Sequence, residues 1–271
     1  MAEIPKLVSS MGKAELDRIY VRGYDLNEQL LGKITFAQMV YLMLTGRMPS
    51  AEEGRMIDTM LIVLVDHGMT AGALAARITY HSAPEALQGA VAAAILGAGS
   101  VHLGSSEYCA KMLNDALPPI RRAQGGELVE PADSKDTDLD AIAKNTVEKR
   151  LANKELIPGI GHGIHTQGDP RAERLFQVAQ ETKVYGRYCD LLRKIGKLAE
   201  ERVGRRLPVN VTGAIGAISM DMGLPWQMSK SFAILGRALG GIAHVGEEVR
   251  RPIARGISDL VRKSLQYEPD K

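Results

Sequence analysis

The residues most suited to chemistry lie in a glycine-rich stretch, residues 157–171, which reads IPGIGHGIHTQGDPR. The glycines at 159, 161 and 163 let the backbone leave helical geometry and present N–H groups to phosphate or carbonyl oxygens. His162 lies within this bend, and an imidazole is the side chain best suited to proton transfer near neutral pH. The stretch therefore predicts a ligand-binding loop with His162 in its bend.

The end of the same stretch predicts an anion site. Asp169, Pro170 and Arg171 read as an N-cap, a first-turn proline and the start of a helix. Arg171 would then lie beside the positive end of a helix dipole, where an anion binds.

Three other interpretations of this stretch compete with a ligand loop. A dinucleotide fingerprint does not fit, because the glycine spacing is not G-x-G-x-x-G and no strand precedes it. His162 and His165 have a spacing that metals can use, but no cysteine or third histidine lies close in sequence. The third interpretation is a structural connector with an incidental histidine.

Composition and charge exclude several partners. The 271 residues carry a net charge of +2 and 4% aromatics, so neither a broad positive field nor stacking platforms point to nucleic acid. Residues 1–11 lack signal-peptide features, and the longest apolar run, residues 60–65, is far too short for a membrane span. We expect a cytoplasmic protein in which Cys109 and Cys189 are buried, reduced thiols.

The elements that must position these residues are helices. Residues 35–38, 50–53 and 82–85 match the capping-box pattern of helix starts, and apolar residues follow the first two at helical spacing. The alanine- and glycine-rich segment 88–99 predicts a helix that lets another helix, or another subunit, approach closely. No alternating strand pattern of any length is present, so the fold class is all-α.

Several blocks, in order along the chain, resemble the citrate synthase superfamily. They are residues 21–25, 34–46, 101–107, 158–162 with 169–171, and 232–244 with Arg251 and Pro252. The sequence of residues 232–244, together with residues 66–68, 158–162 and 210–216, is most similar to citryl-CoA lyases and to the citrate-synthase-like module of ATP-citrate lyase.

The resemblance implies roles for individual residues. His102 matches the histidine at the thioester oxygen, and His162 matches the acid–base group at the hydroxyl or carbonyl oxygen of the other substrate half. Thr212 stands where the family has the aspartate that shuttles the proton on the methyl carbon of acetyl-CoA, and a hydroxyl is too weak an acid and base to replace it directly. A bound water positioned by Thr212, a carboxylate such as Asp221, or a different substrate would accommodate this change.

Further roles are implied for substrate binding. Carboxylates of the substrate would be bound by His67, Arg171, Arg237 and Arg251, the last supplied by a neighbouring subunit. Coenzyme A would be bound by Ile157, Pro158, Gly159, Ile160, Gly161 and Asn210. No metal and no cofactor beyond coenzyme A is expected.

On the family's plan, a large helical domain comprises residues 1–105 and 224–271, and a smaller helical domain with the catalytic loop comprises residues 106–223. A homodimer or dimer of dimers is expected. The predicted activity is cleavage of citryl-CoA, or an analogous 3-hydroxy-3-carboxyacyl-CoA, to acetyl-CoA and a 2-oxo acid. The alternatives are condensation of acetyl-CoA or propionyl-CoA with a 2-oxo acid, and a non-catalytic CoA-binding regulatory role.

Overall fold

The computed structural model describes residues 7–99, 104–117, 121–122, 128–129 and 137–269. Its α-helices in these ranges are α1 Phe36–Thr45, α2 Ala51–Ile62, α3 Ala71–Ser82, α4 Leu87–Leu96, α5 Ser105–Ala116, α6 Leu139–Ala152, α7 Pro170–Glu181, α8 Arg187–Val203, α9 Val211–Asp221, α10 Ser229–Arg250 and α11 Ala254–Ser264. A short π-helix spans Leu26–Leu30 and a 3₁₀ turn spans Trp226–Met228. The predicted all-α class is confirmed.

Strands are few and short. β1 Gly12–Ala14, β2 Ile19–Val21 and β3 Tyr24–Asp25 form an antiparallel meander ahead of α1. β4 Arg121–Arg122 and β5 Leu128–Val129 pair as an antiparallel ribbon. These strands leave the core of the described residues to the helices.

Two of the three predicted capping boxes are present. The Thr35 hydroxyl accepts from the Gln38 amide while the Gln38 side chain accepts from the Thr35 amide, and Ser50 and Glu53 repeat this reciprocal pair at the start of α2. Each pair satisfies two backbone donors that a helix start leaves free.

The third predicted helix start, at Ser82, is wrong. Ser82 is the last residue of α3, and its hydroxyl donates to the carbonyl of Ile78 rather than capping a new helix. Ala83 precedes a proline and takes φ −141°, outside the helical region. The proline therefore ends α3, and α4 begins only at Leu87 without a side-chain cap.

The core is built around α9, in which every residue from Val211 to Asp221 is buried. Helices α5, α7 and α8 pack around it. Cys109 of α5 and Cys189 of α8 lie in this core as free buried thiols, as predicted. Since α9 is enclosed along its length, its N-terminal residues are held rigidly where they meet the rest of the site.

The alanine-rich segment forms α4, which packs against α3 and α10. Small residues allow this close approach, since a Cβ added at Gly72 of α3 would lie 2.7 Å from the carbonyl oxygen of Ala94. Within the described ranges, no helix is both long and apolar enough to cross a bilayer. The two-domain division and its boundaries stay a prediction.

Candidate active site

One cleft of about 600 Å³ brings together side chains from distant parts of the chain. Its walls come from the α2–α3 connection, the end of α4, the start of α5, the loop 161–164 and the starts of α7 and α9, with α10 opposite. Seven of the residues predicted for the site line it: His67, Gly161, His162, Arg171, Asn210, Thr212 and Arg237.

The loop before His162 is held by the strand-like segment that leads into α9. The amide of Gly161 donates to the Pro208 carbonyl at 2.7 Å, and the amide of Asn210 donates to the Gly159 carbonyl at 2.9 Å. Gly159 has φ +85°, and a Cβ on it would lie 2.8 Å from Gly213 Cα. These glycines therefore serve contact between the loop and α9, and the Gly161 N–H that the sequence suggested for a ligand is already bonded to the chain itself.

Asp169 joins the starts of two helices. Its Oδ1 accepts from the Arg171 amide (3.1 Å) and from Arg171 Nε (2.9 Å), while its Oδ2 accepts from Arg171 Nη2 (3.0 Å) and from the Val211 amide (2.8 Å). Burial raises the pKa of this fully buried carboxyl, but these donors outweigh burial and hold the pKa below its ordinary value. The anion at the start of α7 is thus Asp169 itself, and it sets the orientation in which Arg171 reaches the cleft.

The ring orientation of His162 fixes its tautomer. Its Nδ1 accepts from the amides of Ile164 and His165, each at 3.0 Å, so the neutral ring carries its proton on Nε2. Nε2 lies 3.1 Å from Arg171 Nη2, which also bears hydrogens. An oxygen of a bound ligand can accept from both His162 Nε2 and Arg171 Nη2. The sequence predicted that His162 takes the proton of the substrate hydroxyl in cleavage, but Nε2 already carries a hydrogen, so another group must accept that proton.

Two more imidazoles surround His162. Ring centroids of His162 and His165 are 4.6 Å apart, and that of His67 is 6.1 Å from each. Burial lowers the pKa of His162; Asp169 opposes this, while Arg171 and the other imidazoles add to it. Burial also lowers the pKa of His67, with Arg171 and Arg237 adding to the effect. His67 and His162 are therefore both neutral at pH 7.

The three histidines do not form a metal centre in the described structure. Among the described residues, no group of three or more histidine, cysteine, aspartate or glutamate side chains has metal-binding geometry. The predicted absence of a metal from the whole protein remains a prediction.

Arg237 of α10 faces the cleft from the opposite side. It is half-buried, and no carboxylate among the described residues forms an ion pair with it. Burial lowers the pKa of its guanidinium; Asp66 opposes this effect and Arg171 adds to it. A cation in this position has hydrogen-bonding capacity left for an anionic ligand.

At the start of α9, Thr212 takes part in a short chain of polar contacts. Its hydroxyl donates to Asn210 Oδ1 at 2.7 Å and contacts the hydroxyl of Ser105, the first residue of α5. Asn210 caps α9 by accepting from the Gly213 amide at 2.9 Å, and its Nδ2 donates to the Gly161 carbonyl at 2.8 Å. Ser105 and Thr212 both line the cleft.

A second polar network lies behind His67. Asp66 accepts from His244 Nε2 at 2.9 Å and from the Gly68 amide at 3.1 Å. His244 Nδ1 faces Arg77, whose guanidinium is fully buried and also pairs with Glu248 at 2.9 Å. Because arginine only donates, His244 is an acceptor at Nδ1 and a donor at Nε2. Burial raises the pKa of Asp66, but the bonds from His244 and Gly68 hold it below its ordinary value.

Some predicted site residues lie elsewhere. Arg251 is exposed at the end of α10 and does not line the cleft, so its supply to a neighbouring subunit stays a prediction. Residues 157–160, predicted to contact coenzyme A, also lie outside the cleft lining. His102 falls outside the described residues.

The suggestion that Asp221 reaches the site is wrong. Asp221 is at the opposite end of α9 from Thr212, roughly 14 Å away at the rise of an α-helix. Its carboxylate accepts from the amides of Gly186, Tyr188 and Cys189 and so caps α8. Burial raises its pKa to about 6, although these donors and the Cys189 thiol lower it.

Sequence reasoning missed three contributors to the site: the Ser105 hydroxyl, the Asp169 clamp and the Asp66–His244 pair. Ser105 was within a matched block, three residues after His102, and its polarity next to that histidine was the available signal. Nothing local marks the partnership of Asp66 with His244, since 178 residues separate them.

Comparison with known proteins identifies the family. Residues 50–257 match the family model described as citrate synthase, C-terminal domain. A citrate synthase from Synechocystis sp. is 27% identical over 248 residues, which are 88% of this chain and 56% of the relative; the chain spans about half the length of the curated relatives it matches.

Two solved structures are similar over nearly the whole chain. A citryl-CoA lyase from Hydrogenobacter thermophilus superposes with a TM-score of 0.81 at 30% identity, covering 98% of this chain and 95% of that one. An ATP citrate lyase from Methanosaeta concilii, solved with (3S)-citryl-CoA, has a TM-score of 0.73 at 17% identity and covers 100% of this chain and 43% of that one, which shows the fold. By the match of its residues 50–257, the chain belongs to the citrate synthase family.

Proposed function

We propose that this protein is a citryl-CoA lyase-type enzyme that cleaves citryl-CoA, or an analogous 3-hydroxy-3-carboxyacyl-CoA, to acetyl-CoA and a 2-oxo acid such as oxaloacetate. The observation that carries the proposal is the composition of the cleft. It has two arginines and the neutral imidazoles of His67 and His162 for an oxygen-rich anion, and a threonine hydroxyl where the family has a carboxylate. Among its described lining residues the one carboxylate is Asp66, which His244 and the Gly68 amide already engage.

The donors suit a substrate with several carboxylates and a tertiary hydroxyl. Arg237 offers a planar fork that matches a carboxylate, and Arg171, whose Nε and Nη2 already donate to Asp169, keeps its Nη1 hydrogens for another. His67 is near both arginines, since each lowers its pKa. The 3-oxygen would accept from His162 Nε2 and Arg171 Nη2, which stabilise the negative charge that this oxygen carries as it loses its proton, before the carbon–carbon bond breaks and the charge passes to the enolate. His102 would act at the thioester oxygen, and residues 157–161 with Asn210 would bind coenzyme A, as the family resemblance implies.

The similarity to the citryl-CoA lyase from Hydrogenobacter thermophilus also supports cleavage, because it extends over 95% of that chain. The citrate synthases that match are about twice as long as the part matched here. Condensation of an acyl-CoA with a 2-oxo acid, catalysed by a synthase of this family, is the second candidate, and the relatives named citrate synthase and 2-methylcitrate synthase favour it.

One assay separates these candidates. Purified protein is given citryl-CoA, and separately acetyl-CoA with oxaloacetate, and all thioesters and acids are followed by mass spectrometry. Release of acetyl-CoA and oxaloacetate from citryl-CoA, reduced at least about a hundredfold by His162→Gln but not by His81→Gln on the exposed end of α3, supports the lyase. Accumulation of free citrate and CoA in the second mixture would instead identify a synthase, and binding without turnover in either mixture would identify a regulatory binder.

A second copy of the chain is the proposed partner. The α11 helix buries only Ala254 and exposes Leu260 (67%) and Val261, while α10 exposes Val249 (61%). Apolar faces of this kind on adjacent helices favour a subunit contact, and exposed Arg251 lies between them. Light scattering should give twice the monomer mass, and Leu260→Glu should shift it toward the monomer.

A further inference from the structure

The hydrogen atoms at the start of α9 can be placed by elimination. Asn210 Nδ2 donates to the Gly161 carbonyl and Oδ1 accepts from the Gly213 amide, so the orientation of this side-chain amide is fixed. Thr212 must therefore donate its single hydroxyl hydrogen to Asn210 Oδ1. The remaining contact, between the Ser105 and Thr212 hydroxyls, then requires Ser105 to be the donor.

Both hydroxyl hydrogens are consequently committed within the chain. What Ser105 and Thr212 present to the cleft is lone pairs, one left on Thr212 and two on Ser105. In the rest of the described chain, neither hydroxyl has another hydrogen-bond partner. The pair is thus an acceptor-only surface at the position where the family carboxylate stands, and a group bound there must be a donor.

The geometry points to a bound water at this surface, held by Ser105 and Thr212, as the group that protonates the carbon released in cleavage. Ser105 is a positioning residue in this reaction, because its hydrogen occupies one lone pair of Thr212 and leaves the other for the water. The inference rests on the proposed cleavage activity and explains how a threonine serves where a carboxylate is expected.

The proton transfers balance without any further reactant. The bond between the methylene carbon and the hydroxyl-bearing carbon breaks, and its electron pair goes to the methylene carbon. That carbon takes one hydrogen from the water, whose other hydrogen is bonded to the Ser105–Thr212 pair. The water is restored by the proton of the 3-hydroxyl, while His162 Nε2 and Arg171 continue to donate to the same oxygen as it becomes a carbonyl.

This route also resolves the conflict at His162. Its Nδ1 is occupied by two amide hydrogens, so Nε2 stays protonated and does not remove the hydroxyl proton. The pKa of water is far above neutral, which makes water a poor acid for most purposes. A thioester enolate is a stronger base than hydroxide, however, so a correctly oriented water suffices to protonate it.

The test uses the full chain, citryl-CoA and D₂O. Thr212→Val keeps the shape of the side chain but removes the hydroxyl, and Ser105→Ala removes both the donor to Thr212 and the second acceptor for the water. For each, we expect the turnover number for cleavage to fall roughly tenfold to a hundredfold with little change in KM. Thr212→Ser should stay within about threefold of the wild type, and Ser231→Ala, on α10 outside the cleft, should match it.

A carboxylate at residue 212 provides the complementary test. Thr212→Asp should accelerate exchange of the acetyl-CoA methyl hydrogens for deuterium in the presence of oxaloacetate, since a carboxylate is a far stronger base than a bound water. Cleavage by Thr212→Val and Ser105→Ala at the wild-type rate, with cleavage still dependent on His162, would overturn the role of the water and leave the lyase standing. A wild-type protein that does not cleave citryl-CoA would overturn the lyase itself.

Discussion

Replacing Asp169 with asparagine tests whether one buried carboxylate fixes the starts of α7 and α9 relative to each other. The carboxylate accepts four hydrogen bonds, three from Arg171 and one from the Val211 amide. The asparagine side chain would be neutral and would direct its Nδ2 hydrogens at Arg171 Nη2 and the Val211 amide or, if flipped, at the Arg171 amide and Nε. The substitution therefore removes a buried anion and leaves a cation and an amide without their acceptor.

The expected loss of unfolding free energy has two parts, one from the helix cap and one from the ion pair. Asparagine and aspartate are about equally good N-caps, so the variant keeps the cap and this part of the stability hardly changes. Breaking a buried ion pair from one side typically lowers the free energy of unfolding by about 3–5 kcal/mol. Arg171 remains about one-fifth exposed, so the lower end, about 3 kcal/mol, applies, which corresponds to a fall in Tm of roughly 6–12 °C.

Asp138 provides the matched control. It caps α6 by accepting from the Asp140 and Ala141 amides, but no arginine among the described residues pairs with it. Asp138→Asn should change Tm by less than about 2 °C. If Tm and the urea midpoint shift equally little for both variants, the Asp169–Arg171 ion pair does not stabilise the fold.

The pH dependence gives an independent check of the same clamp. Since the pKa of Asp169 is lowered in the folded state, its stabilising contribution is fully present above its unfolded-state pKa, 3.8, and is lost as pH falls through the lower folded-state value. The stability gap between wild type and Asp169→Asn should therefore narrow below about pH 4. A gap that stays constant down to about pH 3 would show that the charge is not what stabilises the fold.

Three further predictions concern the cleft. Gly213→Ala should lower the free energy of unfolding by about 1–3 kcal/mol, because its Cβ would lie 2.6 Å from the Gly159 carbonyl oxygen, whereas Gly246→Ala, with no atom nearer than 4.0 Å, should raise it by up to about 1 kcal/mol in urea unfolding. Arg237→Gln should raise KM for citryl-CoA by about 10- to 150-fold without lowering Tm, because the lost charge-assisted bonds belong to the ligand and not to the fold. The value of kcat/KM should persist at about pH 6.5 and fall at lower pH, because protonation would place an Nδ1 hydrogen of His162 against two amide donors; a decline that begins above about pH 7 would contradict this.

Local patterns in the sequence predicted local structure well. The capping boxes at Thr35 and Ser50 and the cap–proline start of α7 were predictable because the groups that satisfy each other are within three residues. The prediction at Ser82 failed because Pro84 terminates the preceding helix, an effect that competes with the capping signal over the same residues.

Long-range contacts account for what the sequence did not predict. Thr212 was recognised as a departure from the family motif, but its partner Ser105 lies 107 residues away, and only the packing of α5 against α9 brings them together. The anion expected near Arg171 is Asp169, and its dual contact with Val211 depends on how α7 meets α9. Asp221, by contrast, could have been excluded from the sequence, because nine residues of one continuous helix already separate it from Thr212.

The direction of the reaction depends on thioester hydrolysis more than on Thr212. A single site accelerates cleavage and condensation by the same factor, so the residue at 212 sets the barrier of the carbon–proton step and not the ratio of the two rates. A synthase draws the reaction toward citrate by hydrolysing the thioester, which requires an activated water at its carbonyl. Among the described lining residues the only carboxylate is Asp66, and it is engaged by His244 and the Gly68 amide. If the proposed function holds, the described part of the cleft offers no free carboxylate to activate that water, and the expected outcome is release of the acyl group on coenzyme A, as in a lyase.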